Sequence, residues 1–317
     1  MKFLLIDIRK RVGTIDTPHY AVQRIIDELT SRNIPYDTCH YDEIELFTNN
    51  NELTITAQGQ PISTYSHIIM RGHRTAYEYN LKRYIVSHAQ KRNIIVQNAN
   101  FIASLPHYNK LVQMIMLTKA GLPWIDSYYC LDGRYWEKEK ACKQIGFPLI
   151  YKHVEGEYKT ELIDGVEKLK KNVYLVENIR QLEKECRRHD EVDRSNYQKD
   201  SCYFIQKYVA TGEDYRAIMI GKKWFGGWKR VAEKGFLTVS KDSSYSPLDT
   251  PEKQFLKLAT DTAEYFDADY CAVDIIYNGN IPHILEVNMN PGFKAFETKL
   301  GEKSVDVAQA IVDQMLT

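Results

Sequence analysis

The chain has 317 residues, 44% of them hydrophobic, with 42 Lys plus Arg against 42 Asp plus Glu. That length buries a large core and accommodates two or three subdomains, while a formal net charge of zero supplies neither a global basic field for nucleic acid nor an acidic solvating tail. The six cysteines show no CxxC spacing, which argues against a thiol redox or zinc motif and fits small buried hydrophobes in a reducing compartment.

The chain opens on MKFLLIDI, whose apolar run ends before Asp7 and is too short for a signal peptide or a membrane span. The expectation is a soluble cytoplasmic protein with no membrane and no nucleic-acid partner; a homo-oligomer is compatible with it. KFLLIDI reads as a buried strand and YAVQRIIDELTSRN as an amphipathic helix. HIIMRG and IIVQN read as further strands around the helix YEYNLKRYIVSHAQKR. This alternation predicts a parallel sheet and an α/β domain over residues 1–100. Arg9, Arg11 and the loop VGTIDTPHY, with Arg71, His73 and Arg74, follow predicted strands, where α/β folds bind ligands. They are candidates to hold a carboxylate.

From about residue 101 to 317 the pattern becomes α+β, built on antiparallel strands. PHYNKLVQMIMLTKAGLPW is a helix closed by Gly121 with Pro123 just beyond. The strand FPLIYKHV, a Lys-rich loop and a helix near NIRQLEKECRRH follow, and a polar segment from Arg187 to Asp200 links that helix onward. The strands CYFIQKYV, DYRAIMI and KWFGGWKRV come next, then the helix PEKQFLKLATDTAEYF, a hairpin, and a last helix SVDVAQAIVDQML with Ser304 as its expected N-cap.

The hairpin, YCAVDIIYNGNIPHILEVNMNPG at 270–292, places Asp274, Glu286 and Asn288 inside an apolar run. A buried charge without a partner costs several kcal/mol, so these acids must be paired, protonated or bound to a cation. Residues two apart share a strand face, so Glu286 and Asn288 point the same way. A two-residue loop sends Asp274 to the opposite face; a three- or five-residue loop brings it to theirs. Pro282 cannot donate to a ladder, which favours a loop from Asn278 to Pro282 with pairing beginning beyond it. Asp274 then lies across from Glu286, with Cβ atoms roughly 5 Å apart. Two carboxylates and an amide at that spacing form a hard oxygen site for Mg²⁺ that also holds substrate phosphates.

Two lysines are candidates for those phosphates. Lys152 lies in PLIYKHV, where a buried lysine needs an anion or loses its proton, unless the strand is an edge and the side chain snorkels to solvent. Lys110 opens a helix. Further on, FIQKYVATGEDYRAIMI carries Glu213, Asp214 and Arg216, and WKRVAEKG carries Lys229 and Arg230. Backbone from Gln206 through Lys207 and Tyr208 to Val209 can read an adenine edge, an acid can hold a ribose hydroxyl, and arginines can clamp phosphates.

The order Lys110, LIYKHVEG, IQKYV, DYR, Asp274 and EVNMNPG, with Asp274 twelve positions before Glu286, resembles the ATP-grasp superfamily. The resemblance is strongest to its RimK-like branch of carboxylate–amine ligases, and it extends over roughly residues 100 to 317. It implies an α/β pre-ATP-grasp domain at 1–100 and an α+β ATP-grasp fold at 101–317, in which two subdomains clamp ATP and a lid spans about 123–207. It also implies that Lys110 and Lys152 contact ATP phosphates, that Gln206 to Val209 hold adenine, and that Asp214, or alternatively Glu213, meets the ribose or substrate. Arg216 and Arg230 stabilise the transferring phosphate, and Asp274, Glu286 and Asn288 bind Mg²⁺.

The reaction implied is ATP-dependent amide or peptide bond formation between a small-molecule carboxylate and an amine, through an acylphosphate. One substrate is an amino acid, and the other an amino acid, a peptide or a protein terminus. One departure stands out: where such enzymes carry a Gly-rich phosphate-covering loop, this chain has EGEYKTELIDGVEKLKKNVYLVEN, with only Gly156 and Gly165 and with Lys159, Lys168, Lys170 and Lys171. Lysines that replace backbone amides are one reading. A nucleotide-binding pseudoenzyme or interaction module with an altered lid is the alternative.

Overall fold

The computed structural model describes residues 1–8, 19–50, 52–72, 76–105, 108–130, 144–154, 160–163, 166–169, 173–195, 203–232, 243–300 and 305–317. The first third runs β1 (Phe3–Asp7), α1 (Tyr20–Ser31), β2 (Tyr36–His40), a meander of β3 (Ile44–Asn49), β4 (Glu52–Ala57) and β5 (Gln60–Pro61), then β6 (His67–Met70), α2 (Ala76–Gln90) and β7 (Ile95–Val96). β1 pairs in parallel with β2 and β6, and β7 extends the sheet in the order β2-β1-β6-β7. This is the parallel sheet that the alternation predicts. The meander has no counterpart in the sequence reading, because Leu46 and Phe47 of β3 face solvent and break the inside-outside pattern.

β1 is buried on both faces, as a continuous apolar run in a parallel sheet must be. Leu4 and Ile6 enter one core and Phe3 and Leu5 the other. Each core continues into the second half of the chain. The first includes Ala217, Met219, Val273, Ile275 and Val287, and the second includes Ile218, Tyr270, Ala272, Ile311 and Val312.

The remainder runs α3 (Ala99–Ser104), α4 (Lys110–Lys119), β8 (Ser127–Tyr128), β9 (Leu149–His153), β10 (Thr160–Ile163), β11 (Val166–Leu169), β12 (Val173–Val176), α5 (Ile179–Ser195) and β13 (Tyr203–Lys207). After these come β14 (Glu213–Ile220), β15 (Lys223–Ala232), β16 (Ser243–Pro247), α6 (Lys253–Tyr265), β17 (Tyr270–Asn278), β18 (Ile281–Asn288), α7 (Lys294–Thr298) and α8 (Val307–Met315). One antiparallel sheet has the order β12-β9-β13-β8 and its own core of Leu149, Tyr151, Val176, Leu182, Cys186, Tyr203 and Ile205. A larger one has the order β16-β15-β14-β17-β18. No helix among the described residues is long and apolar enough to cross a membrane.

Three local expectations are corrected. α5 continues to Ser195, so much of the polar segment read as a link is helical: extending a helix already formed adds a bond per residue and needs no apolar periodicity. The Lys-rich stretch contains an antiparallel hairpin, β10 with β11, rather than only loop. The last helix is capped by Asp306, whose carboxylate accepts from Gln309 N at 2.8 Å, two residues after the expected Ser304, which lies outside the described residues.

One side chain ties the parallel sheet to the large antiparallel one. Asn98 adopts φ 57°, a left-handed conformation that asparagine tolerates better than most residues. Its Oδ1 accepts from the backbone N of Asp269 and Tyr270, while Nδ2 donates to Tyr270 O and Met289 O. Asn98→Ala removes the partner of four backbone groups, two of them in buried bonds, and is expected to cost about 2–4 kcal/mol in urea unfolding. A loss under about 1 kcal/mol would mean that solvent replaces these bonds.

Candidate active site

The charged site grows from one rung of the five-stranded sheet. On the face that carries Ile218 and Ala272 into the apolar core, the alternate positions Asp214, Arg216 and Asp274 continue toward the charged end. Trp228, Arg216, Asp274 and Glu286 stand opposite one another across β15, β14, β17 and β18. Arg216 grips Asp274 with two bonds, Nε to Oδ1 at 2.5 Å and Nη2 to Oδ2 at 2.6 Å, over the Trp228 ring. On the next rung Arg230 forks onto both oxygens of Asp214. The approach of β15 to β14 needs Gly227, where a Cβ would fall 2.4 Å from Arg216 O.

Asp274 faces Glu286, although not through the loop expected. Gly279 and Asn280 form a two-residue turn, with Gly279 at φ 64° in the position that a type II′ turn reserves for positive φ. From Asn278 opposite Ile281 to Ile275 opposite Ile284, the register would put Asp274 on the wrong face. A bulge at Leu285 then shifts it, so that Asp274 meets Glu286 and Ala272 meets Asn288. Pro282 is inside the ladder, opposite Tyr277. β18 is the edge strand, and Ile284, two residues on, sends its N–H outward to Pro123 O at 2.8 Å. The missing donor of Pro282 therefore also faces away from β17.

Glu286 Oε1 meets Lys110 Nζ at 2.7 Å. Lys110 is the first residue of α4, whose N-cap Asn109 accepts from Val112 N, and its own N–H donates to Val154 O beyond β9. One residue thus touches both antiparallel sheets. Gln113 and Tyr108, which the sequence reading did not single out, seal the edge of β18 by bonding Val287 N and Val287 O. The spacing from Lys110 to Gln113, one helical turn, was the available signal.

Lys152 is not on an edge, because β9 is flanked by β12 and β13. Leu149 and Tyr151 point into the core of that sheet, and Lys152 points from the other face, 7% exposed. Its Nζ donates to Gln206 Oε1 at 2.8 Å and lies 5.1 Å from the Phe204 ring centroid. Burial, then the charge of Lys110, push the ammonium down to about 7 against the pull of Glu286 and Asp274. In Glu286 burial acts to raise the pKa, but Lys110, Lys152 and Arg216 outweigh it and hold the carboxyl below its ordinary range. Burial holds Asp214 above its range despite Arg230.

Because Lys152 titrates near 7 in the folded chain and lysine ordinarily near 10.5, the unfolded chain binds more protons between those values. Stability therefore rises with pH across that window. Lys152→Met is expected to flatten the rise and to stabilise the protein at pH 7, measured by urea unfolding at pH 7 and 9. An unaltered slope would place the proton elsewhere.

The other expected residues divide. Gln206 is a buried bridge that also donates to Ser127 Oγ. Lys207 N is taken by Asp126 O, and Tyr208 and Val209 follow the end of the strand. Glu213 turns to the opposite face, held by Lys229 and Tyr215, and does not join the cluster. Asn288 shares the face of Glu286 and accepts from Asn290 N through Oδ1. Arg9, Arg11, His73, Arg74, Lys159, Lys170, Lys171, Gly156 and Gly165 lie outside the described residues, as does the side chain of Lys168.

Asp274, Glu286 and Asn288 present hard oxygens on one face, a donor set that fits Mg²⁺ completing its shell with phosphates and water. Among the described residues no group of three His, Cys, Asp or Glu converges; the third donor of this set is the amide of Asn288.

A family profile described as the RimK-like ATP-grasp domain matches residues 107–315. A probable alpha-L-glutamate ligase 2 from Pseudoalteromonas atlantica is 33% identical over 112 residues, 34% of this chain and 36% of that protein. The match thus spans about a third of that relative's length. Among solved structures, the ATP-grasp ligase PsnB complexed with minimal precursor, Mg and ADP superposes with a TM-score of 0.66 at 16% identity, covering 99% of this chain and 97% of that one. The macrocyclase MdnC bound with precursor peptide MdnA from Microcystis aeruginosa MRC gives 0.67 at 14% identity, covering 99% of each. At these identities the likeness shows the fold.

Proposed function

The chain belongs to the RimK-like ATP-grasp family, and on that premise we propose that it is an ATP-dependent carboxylate–amine ligase joining an amino acid to a second amino acid, a peptide or a protein terminus. The observation that carries this reading is the continuous array Arg216, Asp274, Glu286 and Lys110, with the buried Lys152 two residues before Val154, whose O accepts from Lys110 N. Alternating cations and carboxylates of this kind are what a site for Mg²⁺ and phosphates requires. The named activity of the glutamate ligase relative and the Mg, ADP and precursor peptide bound to PsnB support it.

In this mechanism the substrate carboxylate attacks the γ-phosphate, giving an acylphosphate and ADP, and the amine then displaces phosphate to leave the amide. No protein nucleophile is needed. Cys39 and Cys271 are buried, and burial pushes both thiols up to about 12. Asp274, Glu286 and Asn288 would hold Mg²⁺, which when bound neutralises phosphate oxygens and aligns them for in-line displacement. Lys110 and Lys152 draw the phosphates in. Each gains an anionic partner that offsets its burial. Arg216 and Arg230, fixed by their carboxylate forks, stabilise charge that develops on the transferring group. Tyr208 and Val209 take the adenine edge. The sheet β12-β9-β13-β8, which carries Lys152, would cover the phosphates and keep water from the acylphosphate.

The test is ADP release from Mg·ATP with pooled amino acids, small di- and tricarboxylates and short peptides, followed by mass spectrometry. Release that requires one acid, with a product equal to the sum of two substrates less water, is the expected result. Nucleotide binding without release in every pool would favour the pseudoenzyme.

A further inference from the structure

A second cluster of buried charge, outside the phosphate-side array, sits at the C-terminal edge of the parallel sheet. Arg71, directly after β6, is 5% exposed. Its Nη2 donates to Pro291 O at 2.8 Å, but Nη1 is buried without a hydrogen-bond partner. The guanidinium lies 5.6 Å from the Tyr270 ring centroid and 6.0 Å from that of Phe293, so aromatic faces fix its plane. Lys82, on α2, is also 5% exposed. Its Nζ lies 5.7 Å over the Tyr41 ring, and Tyr41 OH donates to Gly72 O, the residue after Arg71. Among the described residues neither cation has an ion-pair partner.

The acids near them are accounted for. Asp7 accepts from Ile8 N at 2.8 Å and binds His19 Nδ1 at 2.6 Å. Glu78 stands one turn before Lys82 on the same helix. A buried ammonium and a buried unpaired N–H are both costly, and such groups call for a specific explanation. Their position offers one: open α/β sheets bind ligands outside the carboxyl ends of their strands. Pro291, which anchors Arg71, lies three residues beyond Asn288 in the loop leaving the charged rung.

We propose that Arg71 Nη1 and Lys82 Nζ bind a carboxylate of the substrate, one that anchors the molecule while another of its groups reacts. This deepens the ligase reading and rests on it. The planar fork of Arg71 matches a carboxylate. Arg71 is a binding residue here, and its bond to Pro291 O places the anchored substrate against the loop that follows Asn288.

The experiment is calorimetric titration of L-glutamate into the full chain saturated with Mg·AMPPNP, for the wild type, Arg71→Lys and Lys82→Met, with inorganic phosphate as a second titrant. Lys82→Met removes a buried charge without an ion-pair partner, so it should fold even if Arg71→Lys does not. The expected result is saturable glutamate binding weakened at least about tenfold in each folded variant, with AMPPNP affinity unchanged. Equal glutamate affinity in wild type and variants, or no glutamate binding by the wild type, would overturn the proposal. Phosphate that binds more tightly and displaces glutamate would overturn the assignment of a carboxylate. Failure of the folded wild type to bind AMPPNP would count instead against the ligase reading, and that is measured separately in the first step.

Discussion

Glu286→Gln is expected to lower ADP release by about 10²–10³-fold, the scale seen when one preorganised charge-stabilising group is lost. Glutamine preserves the shape opposite Asp274 and can still accept from Lys110, but it removes one of the two carboxylates on the rung. Nucleotide release in single-turnover assays at several Mg²⁺ concentrations checks this. A variant that turns over at the wild-type rate would remove Glu286 from the site. Glu286→Ala carries a second cost, because it deprives Lys110, whose side chain is 8% exposed, of its ion-pair partner. Glu286 itself is 34% exposed, so solvent moderates the loss to about 1–3 kcal/mol in urea unfolding. The two variants separate the chemical role from the structural one: the first should lose rate alone, and the second rate and stability together.

Arg216→Met should be the more damaging change to the fold. Asp274 is 8% exposed, and Arg216 supplies both of its short bonds. Removing the guanidinium leaves a buried carboxylate facing Glu286, at a cost of about 3–5 kcal/mol. The double variant Arg216→Met with Asp274→Asn removes both charges and should recover at least about 1 kcal/mol of that loss, because contacting residues do not add. Additive losses in the cycle would mean that the fork contributes no coupling. Arg216→Lys keeps the charge but not the fork. It should therefore retain more stability than Arg216→Met and still lose rate.

The site was legible where local rules suffice. Period-two alternation put Glu286 and Asn288 on one strand face, and alternation in DYRAIMI separates Asp214 and Arg216 from Tyr215. The type and order of the strands and most helices also follow from apolar spacing. The last helix was misread locally, since Asp306 rather than Ser304 caps it through Gln309 N. Other readings failed where the deciding partner is remote. Glu213, one residue from Asp214, lies on the face that meets Lys229. Pro282 favours a longer loop, yet the chain makes a two-residue turn at Gly279 and Asn280 and corrects its register with a bulge.

The amino-acid sequence by itself determined the alternation of strands and helices, the acids on a buried strand and the apolar setting of Lys152, since each depends on neighbours within a few positions. Only the tertiary structure decided which cation meets which acid: Arg216 with Asp274, Lys110 with Glu286, and Arg71 with Pro291 O rather than any carboxylate among the described residues. The physical reason is that burial makes an unpaired charge costly wherever it sits. Which partner relieves that cost depends on which strand edge and helix end the fold brings within about 3 Å, and that distance is set by packing between segments far apart in the chain.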